Sequence, residues 1–225
     1  MLPSYIKAVI FDIDGTLLDS MDAWCDADKV FLEENGKKYD PRISETLKSL
    51  HYISASEYLV REYSLDVTAE YAVKRIEEII RQKYFYEIKA KDNVLSYIRS
   101  CYESGICMCA ATSNLRTLSE GALRSAGILP MLKFIMTSDE VGSGKDDPDI
   151  FFRCAEKLGA EPAETAVFED SLHAVKTASQ VGFYTVGVYD RHSSGDIAEI
   201  KKYSDIFVEK FPPVEICKIT ATAER

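Results

Sequence analysis

Four apolar residues, Ala8-Val9-Ile10-Phe11, lead straight into Asp12-Ile13-Asp14-Gly15-Thr16-Leu17. The apolar run has the length of a strand buried on both faces, as strands of parallel sheets are. On an extended chain, residues two apart point the same way, so Asp12 and Asp14 are expected in one pocket at the carboxyl end of that strand. Open α/β sheets place their ligands there. Gly15 permits a sharp turn directly afterwards. Two carboxylates this close repel each other unless a cation or a shared proton compensates. Hard divalent cations such as magnesium take carboxylate and carbonyl oxygens, and one carboxylate is then available as nucleophile or proton carrier. An Asx-rich turn that merely closes a strand has the same local sequence, so the remainder of the chain has to distinguish the two.

That remainder falls into two regimes. Residues 20–35 carry Trp24, Ala27 and Phe31 at helical spacing, and Gly36 ends the helix. Residues 40–86 read as helical throughout. Pro41 opens one helix, Ser54 or Ser56 another, and Thr68 a long one striped by Ala72, Ile76, Ile79 and Ile80. From Asp92 onward strands alternate with helices. Strands are expected at 106–111, 134–136, 165–168, 184–188 and 206–208, which implies a parallel sheet with helices on both faces. Residues 212–225 read as a loosely ordered tail. Strand after strand ends in polar residues: Asp12 and Asp14, then Thr112, Ser113 and Asn114, then Glu169 and Asp170. The turn Gly142-Ser-Gly-Lys145 follows a further one. Helix capping explains any one cluster, but four at carboxyl ends point to a single crevice.

Bulk properties narrow the partners. The 225 residues suffice for one large domain or for a domain with a substantial insertion. A net charge of −10 argues against nucleic acid and anionic membrane, both of which are held by basic surface, but not against a small anionic substrate inside a cleft. No apolar run has the length of a membrane span, and the N-terminal residues lack the pattern of a signal peptide. The six cysteines form no C-x-x-C pair, and a reducing cytoplasm is the expected setting.

Four stretches then carry a resemblance. Asp12-Ile-Asp14-Gly-Thr-Leu, Thr112 after its apolar run, Gly144-Lys145-Asp-Asp-Pro148-Asp149-Ile-Phe151 and Val167-Phe-Glu169-Asp170-Ser171 resemble the motifs of the haloacid dehalogenase superfamily, in its phosphatase and β-phosphoglucomutase-like branch. The helical block after the first motif looks like that family's cap. The resemblance implies a three-layer Rossmann-like parallel-sheet α/β core, residues 1–19 and 89–225, with an inserted all-helical cap domain, residues 20–88. It implies Asp12 as the nucleophile that forms an aspartyl-phosphate and Asp14 as general acid and base. Thr112, Ser113 and Asn114, with Lys48 from the cap, would bind substrate, and Lys145 would offset the charge of nucleophile and phosphate. Asp12, the backbone carbonyl of Asp14, Asp170 and Glu169 would hold Mg2+. The function implied is hydrolysis of a small phosphate monoester, for example a sugar phosphate, by a cytoplasmic monomer or weak homodimer. The alternatives are a phosphosugar mutase using the same intermediate and a non-catalytic metal- or phosphate-binding module.

Some positions depart from the family pattern. Asp146-Asp147 stand where relatives commonly have proline and a variable residue, and His173-Ala174 where many carry a glycine. Residues 47–52 hold Lys48 and His51 but no arginine of the mutase type, which favours hydrolysis. Asp14 argues against dehalogenation. Trp24 is expected to pack between helices, His173 to open a helix and His192 to lie in an exposed loop.

Overall fold

The computed structural model describes residues 2–50 and 52–213, with the side chains of Glu45, Lys48, Ser49 and Tyr52 excepted. The Lys48 and His51 side chains therefore lie outside the described residues, as does the tail from residue 214 onward. β1 (Ala8–Phe11) is followed by four helices, α1 (Met21–Glu34), α2 (Ser44–Ser49), α3 (Tyr52–Glu62) and α4 (Ala69–Tyr86). The alternating region comprises α5 (Val94–Glu103), β2 (Cys107–Thr112), α6 (Arg116–Ser125), β3 (Ile135–Thr137), α7 (Ser138–Val141), α8 (Asp149–Leu158), β4 (Thr165–Glu169), α9 (Leu172–Gln180), β5 (Tyr184–Val188), α10 (Ile197–Tyr203) and β6 (Ile206–Val208).

The six strands form one parallel sheet in the order β3-β2-β1-β4-β5-β6. The chain builds outward from β1 on one side and then returns to lay β4 on the other, which opens a crevice at the carboxyl ends of these strands. Register brings the chemistry together. Phe11 pairs with Ala110 on β2 and with Phe168 on β4, so Asp12, Thr112 and Glu169 emerge at nearly one level.

The period of two in β1 decides the layers. Val9 and Phe11 face α5 and α6 (Tyr97, Ile98, Leu118, Ala122), whereas Ile10 faces α8 and α9 (Ile150, Phe151, Cys154, Ala174). Phe168 extends the first layer as an aromatic stack, 4.9 Å from Phe11, 5.7 Å from Tyr97 and 5.8 Å from Phe211 between ring centroids. The inserted helices bury their own stripe of Phe31, Leu59, Ile76, Ile80 and Tyr84. Gly121 of α6 admits α4 closely: a Cβ there would sit 1.8 Å from the Phe85 ring.

Three local expectations need correction. Ser54 and Ser56 lie inside α3 rather than capping it, and Ser56 is fully buried. The expected strands at 106–111 and 134–136 run one residue later, because pairing to β1 and β2 rather than apolar character sets their ends. The short α7 was not anticipated, although Thr137 and Glu140 close a capping box whose spacing is visible in the sequence. Thr68 caps α4 as expected, its Oγ1 accepting the Tyr71 N–H at 3.2 Å.

Phe168→Ala should cost about 3–5 kcal/mol, the range for truncating a buried aromatic, in urea unfolding followed by circular dichroism. A loss below about 1 kcal/mol would contradict the packing described for this layer.

Candidate active site

β1 delivers Asp12 into the crevice with its backbone N–H bound to the Phe168 carbonyl of β4 at 2.9 Å. Ile13 then turns into the core, so the alternating Asp12 and Asp14 reach the cleft. The chain reverses at once: the N–H groups of Leu17 and Leu18 both bond the Ile13 carbonyl. Gly15 sits at φ +89°, and a Cβ there would come within 2.5 Å of an Asp170 carboxylate oxygen. Glycine is thus required both by the left-handed backbone and by the approach of Asp170.

Lys145 is the cation of the cluster. It follows the turn after α7, is almost fully buried, and donates to Asp12 Oδ1 and, at 2.8 Å, to Glu169 Oε2. Burial disfavours its charge, but Asp12 and Glu169 outweigh this and hold its pKa above the usual value. Glu169 is fixed on its other oxygen by the Ser171 hydroxyl at 2.7 Å and by the N–H groups of Asp170 and Ser171. Burial works against its ionisation, yet Lys145 and these bonds leave its pKa below the ordinary value. Asp170 accepts Thr16 Oγ1 at 3.1 Å and Ser193 Oγ at 3.3 Å. Burial first, then Glu169 and Asp190, push it from 3.8 to about 7.

Asp12 is under the greatest electrostatic load. Burial, and after it the charge of Glu169, raise its pKa well above the usual carboxylate value despite Lys145. Its Oδ2 is buried and accepts no hydrogen bond. Asp12, Glu169 and Asp170 each offer a carboxylate oxygen, and the three lie within 4.8 Å of one another. Oxygen-only donors, an excess of negative charge and an orphaned carboxylate oxygen fit a hard divalent cation.

Asp14 belongs to a different set of partners. Its side chain leaves this trio and accepts Ser20 Oγ at 2.6 Å, Asn114 Nδ2 at 3.0 Å and the Tyr84 hydroxyl. Tyr84 in turn receives the Trp24 indole N–H at 2.5 Å. Trp24 therefore packs between α1 and α4 as expected, and it lines the cleft as well. Tyr84 was not anticipated. It continues the stripe Ala72-Ile76-Ile80 and reads as core, so the sequence held no signal for its hydroxyl.

The remaining expected residues take the following places. Thr112 is buried at the end of β2, its Oγ1 accepting the Asn114 N–H at 3.0 Å, and Ser113 Oγ lies 3.2 Å from Ser138 Oγ. Thr112, Ser113 and Asn114 all line the cleft together with Asp12, Asp14, Lys145 and Asp170. Asp146 and Asp147 are exposed, and Asp147 caps the start of α8 by accepting the Asp149 N–H at 2.9 Å. His173 opens α9 and borders the cleft, its pKa lowered by burial. His192 is no free loop residue: with Arg191 it reaches across to Asp22 of α1, its Nε2 at 2.7 Å from the carboxylate. A short 3₁₀ turn held by Asp190 aims it there. Among the described residues no helix is long and apolar enough to cross a membrane.

These features agree with comparisons to known proteins. A sequence model of haloacid dehalogenase-like hydrolases matches residues 9–188. The chain is 26% identical to validoxylamine A 7'-phosphate phosphatase of Streptomyces hygroscopicus subsp. limoneus, over 86% of this chain and 90% of that protein. It is 30% identical to a protein of Drosophila melanogaster named as a pseudouridine-5'-phosphatase, over 80% of each. Its fold is similar to that of CbbY from Rhodobacter sphaeroides in complex with phosphate, with a TM-score of 0.79, 19% identity, and 94% and 96% of the two chains covered. With the family model spanning most of its length and all four polar strand ends gathered in one crevice, the chain belongs to the haloacid dehalogenase-like hydrolases.

Proposed function

We propose that this hydrolase cleaves a small phosphate monoester, of the sugar phosphate kind, in a Mg2+-dependent reaction through an aspartyl-phosphate on Asp12. One observation carries the reading: the two neighbouring carboxylates have separate partners. Asp12 is held by Lys145 beside Glu169 and Asp170 with one oxygen unengaged, while Asp14 is turned to neutral donors. That is the separation a nucleophile and a proton carrier require.

The Asp12 carboxylate attacks phosphorus as the bond to the leaving oxygen breaks, and Asp14 gives that oxygen a proton. Asp14 then takes a proton from water as the water attacks the phosphoryl group, and Asp12 is released. Thr112 and Ser113 at the end of β2 hold phosphoryl oxygens, with Asn114 orienting Asp14, and Lys145 balances the charge of Asp12 and phosphate. Asp12, Asp170, Glu169 and the Asp14 carbonyl would hold Mg2+, which supplies positive charge where a phosphate dianion must enter. Residues 20–88 form the cap domain and residues 1–19 and 89–225 the core. Closing the first on the second excludes water from the cleft. The five cysteines among the described residues are thiols rather than disulfides; the setting is taken to be a reducing cytoplasm, and the substrate a phosphorylated metabolite rather than a nucleic acid or membrane.

Phosphate release from a panel of phosphomonoesters tests this. Asp12→Asn should abolish Mg2+-dependent release, and Asp14→Asn should slow it by about 10²–10⁴-fold, the usual contribution of a positioned proton carrier. Turnover surviving in Asp12→Asn would overturn the covalent route. A hexose 1-phosphate converted to its isomer without phosphate release would replace hydrolysis by mutase action.

Metal dependence has a second readout. Asp170 is raised from 3.8 to about 7, so its protonated form favours the metal-free folded state at low pH, and that contribution is lost as pH rises through about 7. Mg2+ competes with this proton. Added Mg2+ should therefore raise the melting temperature of chelator-treated protein more at pH 8 than at pH 5.5. An equal shift at both would remove Asp170 from the ligand set.

A further inference from the structure

The chemistry at the β-strand ends leaves one charged group of the cleft unused. Asp28 lies on α1 one turn beyond Trp24, so the two share a helix face, and it lines the cleft on the cap side. No hydrogen bond or ion pair reaches its carboxylate among the described residues. Burial alone pushes its pKa up to about 7. Beside it, the Tyr39 hydroxyl is buried, with no stronger partner than the neighbouring Cys25 thiol, a weak acceptor. Its pKa is raised by burial first and then by neighbouring Cys25 and Asp28, which keeps the phenol protonated and its donor available. The other cap residues around them are mainly apolar, among them Met21, Leu47 and Leu59.

A polar group drawn out of water without a strong partner costs free energy, and two such half-buried residues lining one cavity are satisfied together by whatever fills it. Asp28 accepts and Tyr39 donates. A hydroxyl can serve both and an ammonium serves Asp28, whereas a carboxylate can take only the Tyr39 donor and is repelled by Asp28 once that side chain is ionised, above about pH 7. The distance scale fits a leaving group of several carbons. Trp24 is bonded to Tyr84, which is bonded to Asp14, and Asp28 stands about 6 Å further along α1.

We propose that Asp28 and Tyr39 form the leaving-group subsite, selecting phosphomonoesters whose far end carries a hydroxyl or ammonium donor and rejecting those that end in a carboxylate. The subsite rests on the reading of this cleft as a phosphomonoester site.

Three six-carbon probes phosphorylated on the terminal carbon separate the cases: a hexitol phosphate, a hexosamine phosphate and a hexonate phosphate. Wild-type protein with Mg2+ should show a kcat/KM at least about tenfold higher for the first two than for the hexonate, as expected of a site built around a buried hydrogen-bonding group. Preference for the hexitol over the hexosamine assigns the donor as hydroxyl, and the reverse as ammonium. Asp28→Asn, nearly isosteric, should narrow the gap to the hexonate below threefold, mainly through KM, and Asp28→Arg should invert it. Tyr39→Phe should raise KM for the hexitol phosphate while leaving the hexonate penalty in place. Calorimetry on Asp12→Asn protein reads binding apart from turnover, and the hexitol phosphate should bind at least about tenfold more weakly when Asp28→Asn is added. A substrate ranking unmoved by both Asp28 variants, in proteins that still melt cooperatively, would overturn the subsite. Binding preferences intact without phosphate release from any probe would uphold it and overturn the hydrolytic reading instead.

Discussion

The mutual repulsion of Asp12, Glu169 and Asp170 is the constraint around which the rest of the molecule is arranged. Three carboxylates at the ends of two adjacent strands meet within 4.8 Å of one another, all of them buried, and a single ammonium, Lys145, bonds two of them, Asp12 and Glu169. Left alone, such a cluster would pull protons from solution or push the strands apart. It is tolerated because β1 and β4 are locked in register by the sheet and by the aromatic layer beneath Phe168. The folding free energy of the core thus keeps charges at a spacing they would not choose. The resulting strain is electrostatic, and a divalent cation or a bound phosphate with its counterion relieves it.

Most of the core could be read directly from the sequence, because its determinants are local. The apolar run of β1 fixes a strand, and the residue that ends each strand fixes what enters the crevice. Asp12, Asp14, Lys145, Glu169 and Asp170 were therefore identifiable by position alone, and they converge. What could not be read depends on contacts between distant segments. Tyr84 belongs to an unbroken apolar stripe, and only the packing of α4 against α1 and α6 turns its hydroxyl toward Asp14. Asp28 sits among ordinary helix-surface charges, and it becomes distinctive only where the insertion folds back over the cleft. His192 belongs to the same class, since its partner Asp22 is 170 positions away.

The boundary between inserted helices and sheet is itself chemically uneven. At the outer edge, Asp22 of α1 meets Arg191 and His192 in partly exposed contacts of the kind that contribute little to stability and exchange readily with water. At the inner edge, Phe85 occupies the space left by Gly121, and Tyr84, fully buried, reaches Asp14. The outer contacts resemble a transient interface and the inner ones a core.

The hydrogen bond from Tyr84 to Asp14 has a consequence for timing. Asp14 is anchored to the sheet only through its backbone and Asn114, while two of its three side-chain donors, Ser20 and Tyr84, come from the chain that leads into the inserted helices and out of them. Trp24 ties those two segments together through the same hydroxyl. Any motion that lifts α1 and α4 from the crevice removes these donors from Asp14 and lets its carboxylate swing into water. On the proposed mechanism, Asp14 is then placed for proton transfer only while these helices are seated, and water reaching an open cleft meets Asp12 without its proton carrier. In such a design, idle hydrolysis is suppressed by the assembly of the site itself, and the act of enclosing a substrate doubles as the trigger for its cleavage.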